Sequence, residues 1–433
     1  MNKVLLLTLI LLFLSNCSSN NDDVGLGEKK TNLKTKIDSS EIFLTKQVKK
    51  EAEFNSNIEI IVSNRKFNKK FKTNNNNTGE MVYEGILEKI AKYKFSKFDD
   101  FKYIETHPIL HKDNLIFSDN KGSIIYYDQN QNIIWKKNFY TKNEKKLKPR
   151  LNFAIQKNIL IVTDDVAKYY AIDIETGNML WVKNNVVPFN SNIKIKSDVF
   201  YVVDYKNILR SISINDGSEL WNLKTEESLT KSNTKLSIAI DEKNIYFNNS
   251  IGDITAVNIK SGQLIWQLPT QNDNIIKNAF QLSSSRLVLN EGSIFFSNNV
   301  NEFYSIDIST GLINWKNEIN SILNPVIIDK LIIAISKTGY LYLLEKKSGN
   351  ILRINDLYVG YKDKIRKRIE PTGFIIAMGK IYLTNDDGKL IIAELNTGNI
   401  LNIKKIAGDK ISQPYVFKNN LFLIKNGSII KFN

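Results

Sequence analysis

Apolar and polar residues alternate with a period of two in short runs that end at a glycine, and these runs recur along most of the chain. Three, five and seven positions before successive glycines lie Ile174, Ile172 and Tyr170; Ile214, Ile212 and Arg210; Ile259, Val257 and Thr255; and Ile308, Ile306 and Tyr304. A small residue sits six positions upstream in each: Ala171, Ser211, Ala256 and Ser305. Strict alternation predicts a strand with one bulky face and one flat enough for a neighbouring sheet to approach. The Thr-Gly, Asp-Gly or Ser-Gly pair that follows predicts a hairpin turn whose glycine takes positive φ. The next strand carries apolar residues and a tryptophan. A further strand precedes each unit, as at 158–162, 244–247, 293–296, 331–335 and 380–383.

Gly177, Gly217, Gly262 and Gly311 stand four residues before Trp181, Trp221, Trp266 and Trp315. Weaker copies run from Gln131, in the glycine's place, to Trp135, from Gly349 to Arg353, and from Gly398 to Asn402. All five tryptophans therefore occupy one repeat position, which chance does not produce. Four short strands in roughly 45 residues are the content of a propeller blade. Helical solenoids are excluded by the period of two and the turn glycines. Seven full copies fill 103–405, and an eighth, from 413 to 432, lacks its last strand. Residues 89–98 alternate in the same way and can supply it. The predicted architecture is all-β, an eight-bladed β-propeller with four-stranded antiparallel blades over 85–433. Pairing of its N- and C-terminal segments closes the ring, which removes open sheet edges.

The first 84 residues do not share the pattern. Lys3 precedes an apolar run at 4–13, the length of a signal-peptide core and short for a membrane span. The run ends at Leu14-Ser15-Asn16-Cys17, which resembles a bacterial lipobox with Cys17 as the lipidated residue. Asn16 departs from the small residue usual there, and a plain secretory signal is the competing reading. Ser18 resembles the residue found in lipoproteins sorted to the outer membrane. Residues 1–16 are thus expected to be a signal peptide and 17–84 a lipid-anchored flexible tether. That stretch is rich in Asn, Lys, Ser and Asp, with a low-complexity run at 74–79, and buries little apolar surface to offset ordering entropy.

Composition narrows the chemistry. One cysteine among 433 residues excludes an intramolecular disulfide and any Cys-rich metal site, and two histidines leave little for imidazole chemistry. The net charge of +15 comes with Lys enrichment along the whole chain rather than a basic stripe interleaved with aromatics, so no nucleic-acid partner is expected. The lysine-rich runs at 142–148 and 362–368 read as solvated loops.

The unit, Tyr/Leu-x-Ile-Asp-Ile followed by Thr-Gly and a tryptophan, resembles the tryptophan-docking repeat of quinoprotein propellers. Within that superfamily the lipobox, tether, blade number, Gly339-Tyr340-Leu341-Tyr342 and Gly427-Ser428-Ile429-Ile430 resemble the BamB family, lipoproteins of the outer-membrane β-barrel assembly machinery. The long Asn/Lys tether exceeds what that family usually has. The resemblance implies a non-enzymatic scaffold, lipid-anchored at the periplasmic face of the outer membrane, which assists folding and insertion of β-barrel proteins. It implies as partner the central barrel-assembly subunit (BamA-like), with nascent barrel proteins as possible clients. The docking loops it implies lie between blades 3 and 4, with Ser228, Leu229 as apolar anchor and Lys231 as a cation for the partner's carboxylates, and between blades 4 and 5, with Gln281. A periplasmic scaffold of another complex shares the same repeat.

The competing enzyme reading is a quinone-cofactor dehydrogenase, whose family implies calcium held by carboxylates and an Asn, and often vicinal cysteines. A vicinal disulfide is impossible here. Asp164-Asp165 and Asp386-Asp387-Gly388 fall where a hairpin turns and read as solvated turn carboxylates. His107 and His111 would share a helix face, but Pro108 biases the segment to extended geometry, where the two lie about 13 Å apart. No catalytic residue, metal site or cofactor is expected. The repeated tryptophans are read as wedges between blades, with the indole N–H bonded to backbone.

Overall fold

The computed structural model describes residues 52–53, 73–101, 107–226, 235–270 and 283–433. Within them the alternating runs become strands at the expected places, and the strands form eight sheets. In blade 4, Ile238–Ile240, Asn244–Asn248, Ile254–Asn258 and Leu264–Leu268 pair antiparallel in sequence order from the channel outward. The period of two gives every sheet two apolar faces, and each face packs on the next sheet. In blade 1, Leu115, Phe117, Ile125 and Tyr127 turn to blade 8, while Ile116, Ile124 and Tyr126 turn to blade 2. One apolar core fills each of the eight junctions, so the ring is closed. Each fully buried Ile, Leu or Phe contributes about 1.5–3 kcal/mol.

The tryptophans dock blade to blade. Each indole lies on the turn glycine of the following blade: Trp135 on Gly177, Trp181 on Gly217, Trp221 on Gly262, Trp266 on Gly311 and Trp315 on Gly349. These glycines sit at φ of 69–75°, the left-handed region, and a Cβ on any of them would come within 2.9 Å of the ring. The indole N–H of Trp135, Trp181, Trp266 and Trp315 donates to the carbonyl three residues before that glycine, Ile174, Ile214, Ile308 and Lys346, at 2.8–3.1 Å. A β-bulge beside each outer turn sets the register. It places the small residue opposite the indole, as Ala171 to Trp181, Ser211 to Trp221, Ala256 to Trp266 and Ser305 to Trp315. The alternating small position thus makes room for the ring.

Blade 6 has Arg353 in the tryptophan's place. Its guanidinium is buried and donates to the Leu395 carbonyl at 2.6 Å and to the Asn396 carbonyl, while Asn355 covers Gly398. The carbonyl three residues before the glycine is again the acceptor.

Blade 8 consists of Tyr415–Phe417, Asn420–Lys425 and Ser428–Phe432, and Lys89–Lys94 adds as its outer strand, antiparallel, with Tyr93 opposite Ile429. Just upstream, the Tyr83 hydroxyl and the Leu87 N–H both donate to the Asn433 carbonyl, at 2.7 and 3.0 Å. Met81, Tyr83 and Leu87 are buried between blades 7 and 8, where no tryptophan docks. Glu80–Met81 pairs in parallel with the innermost strand of blade 7, Pro371–Ala377, and Ala52–Glu53 adds to the outer strand of blade 6, Ile351–Asp356. The sequence places 73–84 in the tether; the structure places these residues on the ring. Their carboxamides and a few apolar side chains find partners that a count of apolar residues does not reveal.

The lysine-rich runs also differ from the loops expected. Lys142–Lys146 is one helical turn opened by a capping box, Thr141 with Glu144, and Asp363–Arg366 is another, with Arg366 paired to Asp356 over the Tyr340 ring.

Candidate functional site

In blades 1–5 an Asp or Asn opens the second turn and helps build the face that carries the site. Asp119, Asp164, Asp204, Asn249 and Asn298 each accept, on one side-chain oxygen, the N–H groups two and four residues on. These are Asx turns, repeated blade after blade. They correct the reading of Asp164 as a solvated carboxylate. Asp164 is fully buried, its other oxygen takes the Tyr140 hydroxyl at 2.5 Å, and burial raises its pKa to about 6. Asp386 is half-buried, accepts the Glu370 N–H at 2.9 Å, and is also shifted upward by burial. Asp164 is shut in by donors of its own turn, Val166 and Lys168, and Asp386 by the Glu370 N–H of the preceding connection.

From this same face the blade connections rise. Ser228, Leu229 and Lys231 in the first connection, and Gln281 in the second, lie outside the described residues, as does Cys17. The ends of both connections are placed. Glu226 is held through its carbonyl by Asn207 at 2.8 Å, and Leu236 donates to Asn190 at 2.7 Å. Ser283 is held by Asn299 at 3.0 Å. Lys235 and Ser284, at the downstream ends of the two connections, line one funnel of about 340 Å³ at the channel mouth. The structure therefore brings the described downstream ends of both connections to one rim.

The funnel combines apolar walls with charged and polar groups, and its bases outnumber its acids. Lys235, Arg286, Lys410 and His107 line it, with Asn324 and Gln413, against Glu370 and Asp386. Arg286 can only donate, so its contact with His107 Nε2 makes that nitrogen the acceptor and directs the Nδ1–H to the Tyr415 hydroxyl. Burial, then the charges of Arg286, Lys235 and Lys194, hold the imidazole well below its usual pKa. Lys194 is buried too, and burial followed by Arg286 lowers its pKa to about 7. Sequence reasoning missed this group because its members do not share a repeat position. Lys194 opens the innermost strand of blade 3, whereas Lys235 and Arg286 lie three and two residues before those of blades 4 and 5, so no repeat column lines them up.

The two histidines part company. His107 faces the funnel, whereas His111 is buried beside Glu175, with 3.6 Å between Nε2 and Oε1. No group of three His, Cys, Asp or Glu among the described residues could hold a metal ion. The funnel's acids are engaged, Glu370 with Lys337 at 3.0 Å and Asp386 with the backbone, and residues 74–81 run along the channel wall. The donor set does not fit the calcium and quinone of the dehydrogenases.

Eight sheets, of which blades 1 to 6 are tied in sequence by tryptophans docked on the next blade's turn glycine, define a propeller of the quinoprotein class. The family model described as outer membrane protein assembly factor BamB matches residues 108–355, more than half of the chain, and the chain belongs to that family. Among solved structures it is similar to BamB from Moraxella catarrhalis, with a TM-score of 0.65 and 15% identity over 80% of this chain and 100% of that one. A europium-containing methanol dehydrogenase is also similar, at a TM-score of 0.59 and 11% identity over 79% of this chain and 86% of that one. So is the C-terminal WD40 domain of Sif2, at 0.58 and 12% over 82% and 99%. At such identities the likeness is one of fold. No curated protein matches the chain.

Proposed function

We propose that this protein is a non-enzymatic scaffold of the β-barrel assembly machinery. It is anchored through Cys17 at the periplasmic face of the outer membrane, with residues 1–16 as signal peptide. The match of the BamB family model across blades 1–6 carries the reading. That the downstream ends of the two blade connections, Lys235 and Ser284, line one funnel supports a single docking face, for which Leu229 is proposed as apolar anchor, Lys231 as cation, and Ser228 and Gln281 as their neighbours. The partner is the central barrel-assembly subunit, and nascent β-barrel proteins are clients. The funnel's donor set favours recognition over redox chemistry.

The test is an affinity pull-down from detergent-solubilised membranes with the tagged lipoprotein, read by mass spectrometry. The central assembly subunit is expected to co-purify and to be lost on combining Leu229→Ala with Lys231→Ala. Its recovery despite both substitutions would keep the function and move the site to other loops. Its absence from the wild-type eluate would sink the assembly role.

A further inference from the structure

The innermost strand of each blade turns one edge to the channel, where its N–H and C=O groups lack a ladder partner. Along blades 3 to 7 those edges meet one piece of chain. Asn74 Nδ2 donates to the Ile195 carbonyl of blade 3 at 3.0 Å. Asn76 Nδ2 spans two blades, donating to the Ile238 carbonyl of blade 4 at 2.9 Å and to the Leu287 carbonyl, at the entry to blade 5, at 2.8 Å. Asn77 pairs with blade 6 in both directions. Its Nδ2 donates to the Ile327 carbonyl at 3.0 Å and its Oδ1 accepts the Ile327 N–H at 3.1 Å. Glu80 and Met81 then pair by backbone with Ile376 and Ala377 of blade 7, and the Glu80 carboxylate accepts the Gly379 N–H at 2.7 Å.

The choice of asparagine has a physical reason. A carboxamide carries the donor and acceptor of a peptide group, so the Asn77–Ile327 contact is a ladder rung made by a side chain. Asn76 has φ of 61°, which asparagine tolerates better than most residues, and its Oδ1 also accepts from the Lys194 ammonium. Aspartate would remove the donors, and glutamine would overshoot by one methylene. Three side chains thus do across four blades what strand addition does for one.

We infer that the channel wall of blades 3–7 is a docking groove for a carboxamide-bearing segment, and that residues 74–81 of this chain, which open in a 3-10 turn and end in the short strand Glu80–Met81, are its resident occupant, an axial key tying five blades together. The key runs on through Tyr83 and Leu87, between blades 7 and 8, into the closing strand Lys89–Lys94. Filling the channel and closing the ring are therefore one docking event.

Hydrogen exchange of the full-length protein, read by mass spectrometry, tests this. In Asn77→Ala, the segment around Ile327 is expected to lose about tenfold in protection, the equivalent of one buried hydrogen bond. Adding Asn74→Ala and Asn76→Ala is expected to extend the loss to the inner strands of blades 3, 4 and 5. The inner strands of blades 1 and 2, Ile109–His111 and Leu151–Gln156, should keep wild-type protection. Among the described residues they receive no hydrogen bond from the key. A loss spread evenly around all eight blades, or none, would overturn the proposal. Should the triple variant not fold, Asn77→Ala and Asn77→Gln alone are read by the same criterion.

Discussion

At the rim of this ring one contact is repeated from blade to blade, while at its axis the contact changes along the ring from carboxamide donors to a two-way rung to a backbone pairing. The rim contact is directional, an aromatic or cationic N–H reaching the carbonyl three residues before the next blade's turn glycine. Arg353 shows that the geometry matters more than the indole, because a guanidinium meets the equivalent carbonyl, Leu395, from the same repeat position. At the axis, blade 3 takes a carboxamide from Asn74, blade 6 a two-way side-chain rung from Asn77, and blade 7 a parallel backbone pairing. The difference teaches that the repeat specifies how neighbours meet, and that one unrepeated segment specifies what the centre holds.

The largest effect that would break the comparison is expected at the rim. Trp135 is buried and its N–H is satisfied, so Trp135→Ala should cost about 3–5 kcal/mol, seen as a fall in the urea midpoint. A loss below 1 kcal/mol would show that the blade cores alone hold the junction.

A pair of glycines separates docking from turn strain. Gly349 (φ 75°) and Gly379 (φ 68°) share a left-handed backbone, but only at Gly349 would a Cβ strike an indole, Trp315 at 2.5 Å. Both alanine variants should lose about 1 kcal/mol to strain. Gly349→Ala should lose a further 1–3 kcal/mol to overlap, giving the lower melting temperature of the two. Arg353→Met keeps the stem and removes both donors. It should cost roughly 1–3 kcal/mol by leaving the Leu395 and Asn396 carbonyls unpaired, again by urea denaturation.

The smallest effect sharpens the axis. Lys194 has a folded pKa near 7 against 10.5 in the unfolded chain, so the fold disfavours its charge. Between these values the unfolded state binds more protons, and stability should rise with pH from 7 towards 10. Lys194→Met should remove that rise, by on the order of 1 kcal/mol between pH 7 and 9. Urea midpoints of both proteins at three pH values decide it.

The rim was legible in the sequence because repetition multiplies a weak signal. A single Thr-Gly with a tryptophan four residues on means little, but stacked copies gave the blade number, the turn conformation and the indole's role. The closing strand was legible for a related reason, as 89–98 alternate like the strand that blade 8 lacks. Arg353 and Gln131 were visible as departures, though only coordinates revealed that Gln131 Oε1 takes the Lys92 N–H at 2.8 Å. The axis was not legible. The same low complexity that made 74–77 read as tether supplies four carboxamides in a row, and composition cannot tell solvated amides from paired ones. The funnel's cations escaped because they are scattered over different repeat positions. Asp164 was misread because a turn's position in sequence does not reveal how deeply it is packed.

The route of the chain has a mechanical consequence. A pull applied just before residue 73, downstream of the Ala52–Glu53 pairing with blade 6, meets the asparagine contacts to blades 3–6 before the pairing to blade 7 is strained. Only after that does tension reach Lys89–Lys94, whose antiparallel bonds to blade 8 lie across the strand and resist in shear. The seam of the ring, where one strand comes from far upstream, is thus the last place to feel such a pull.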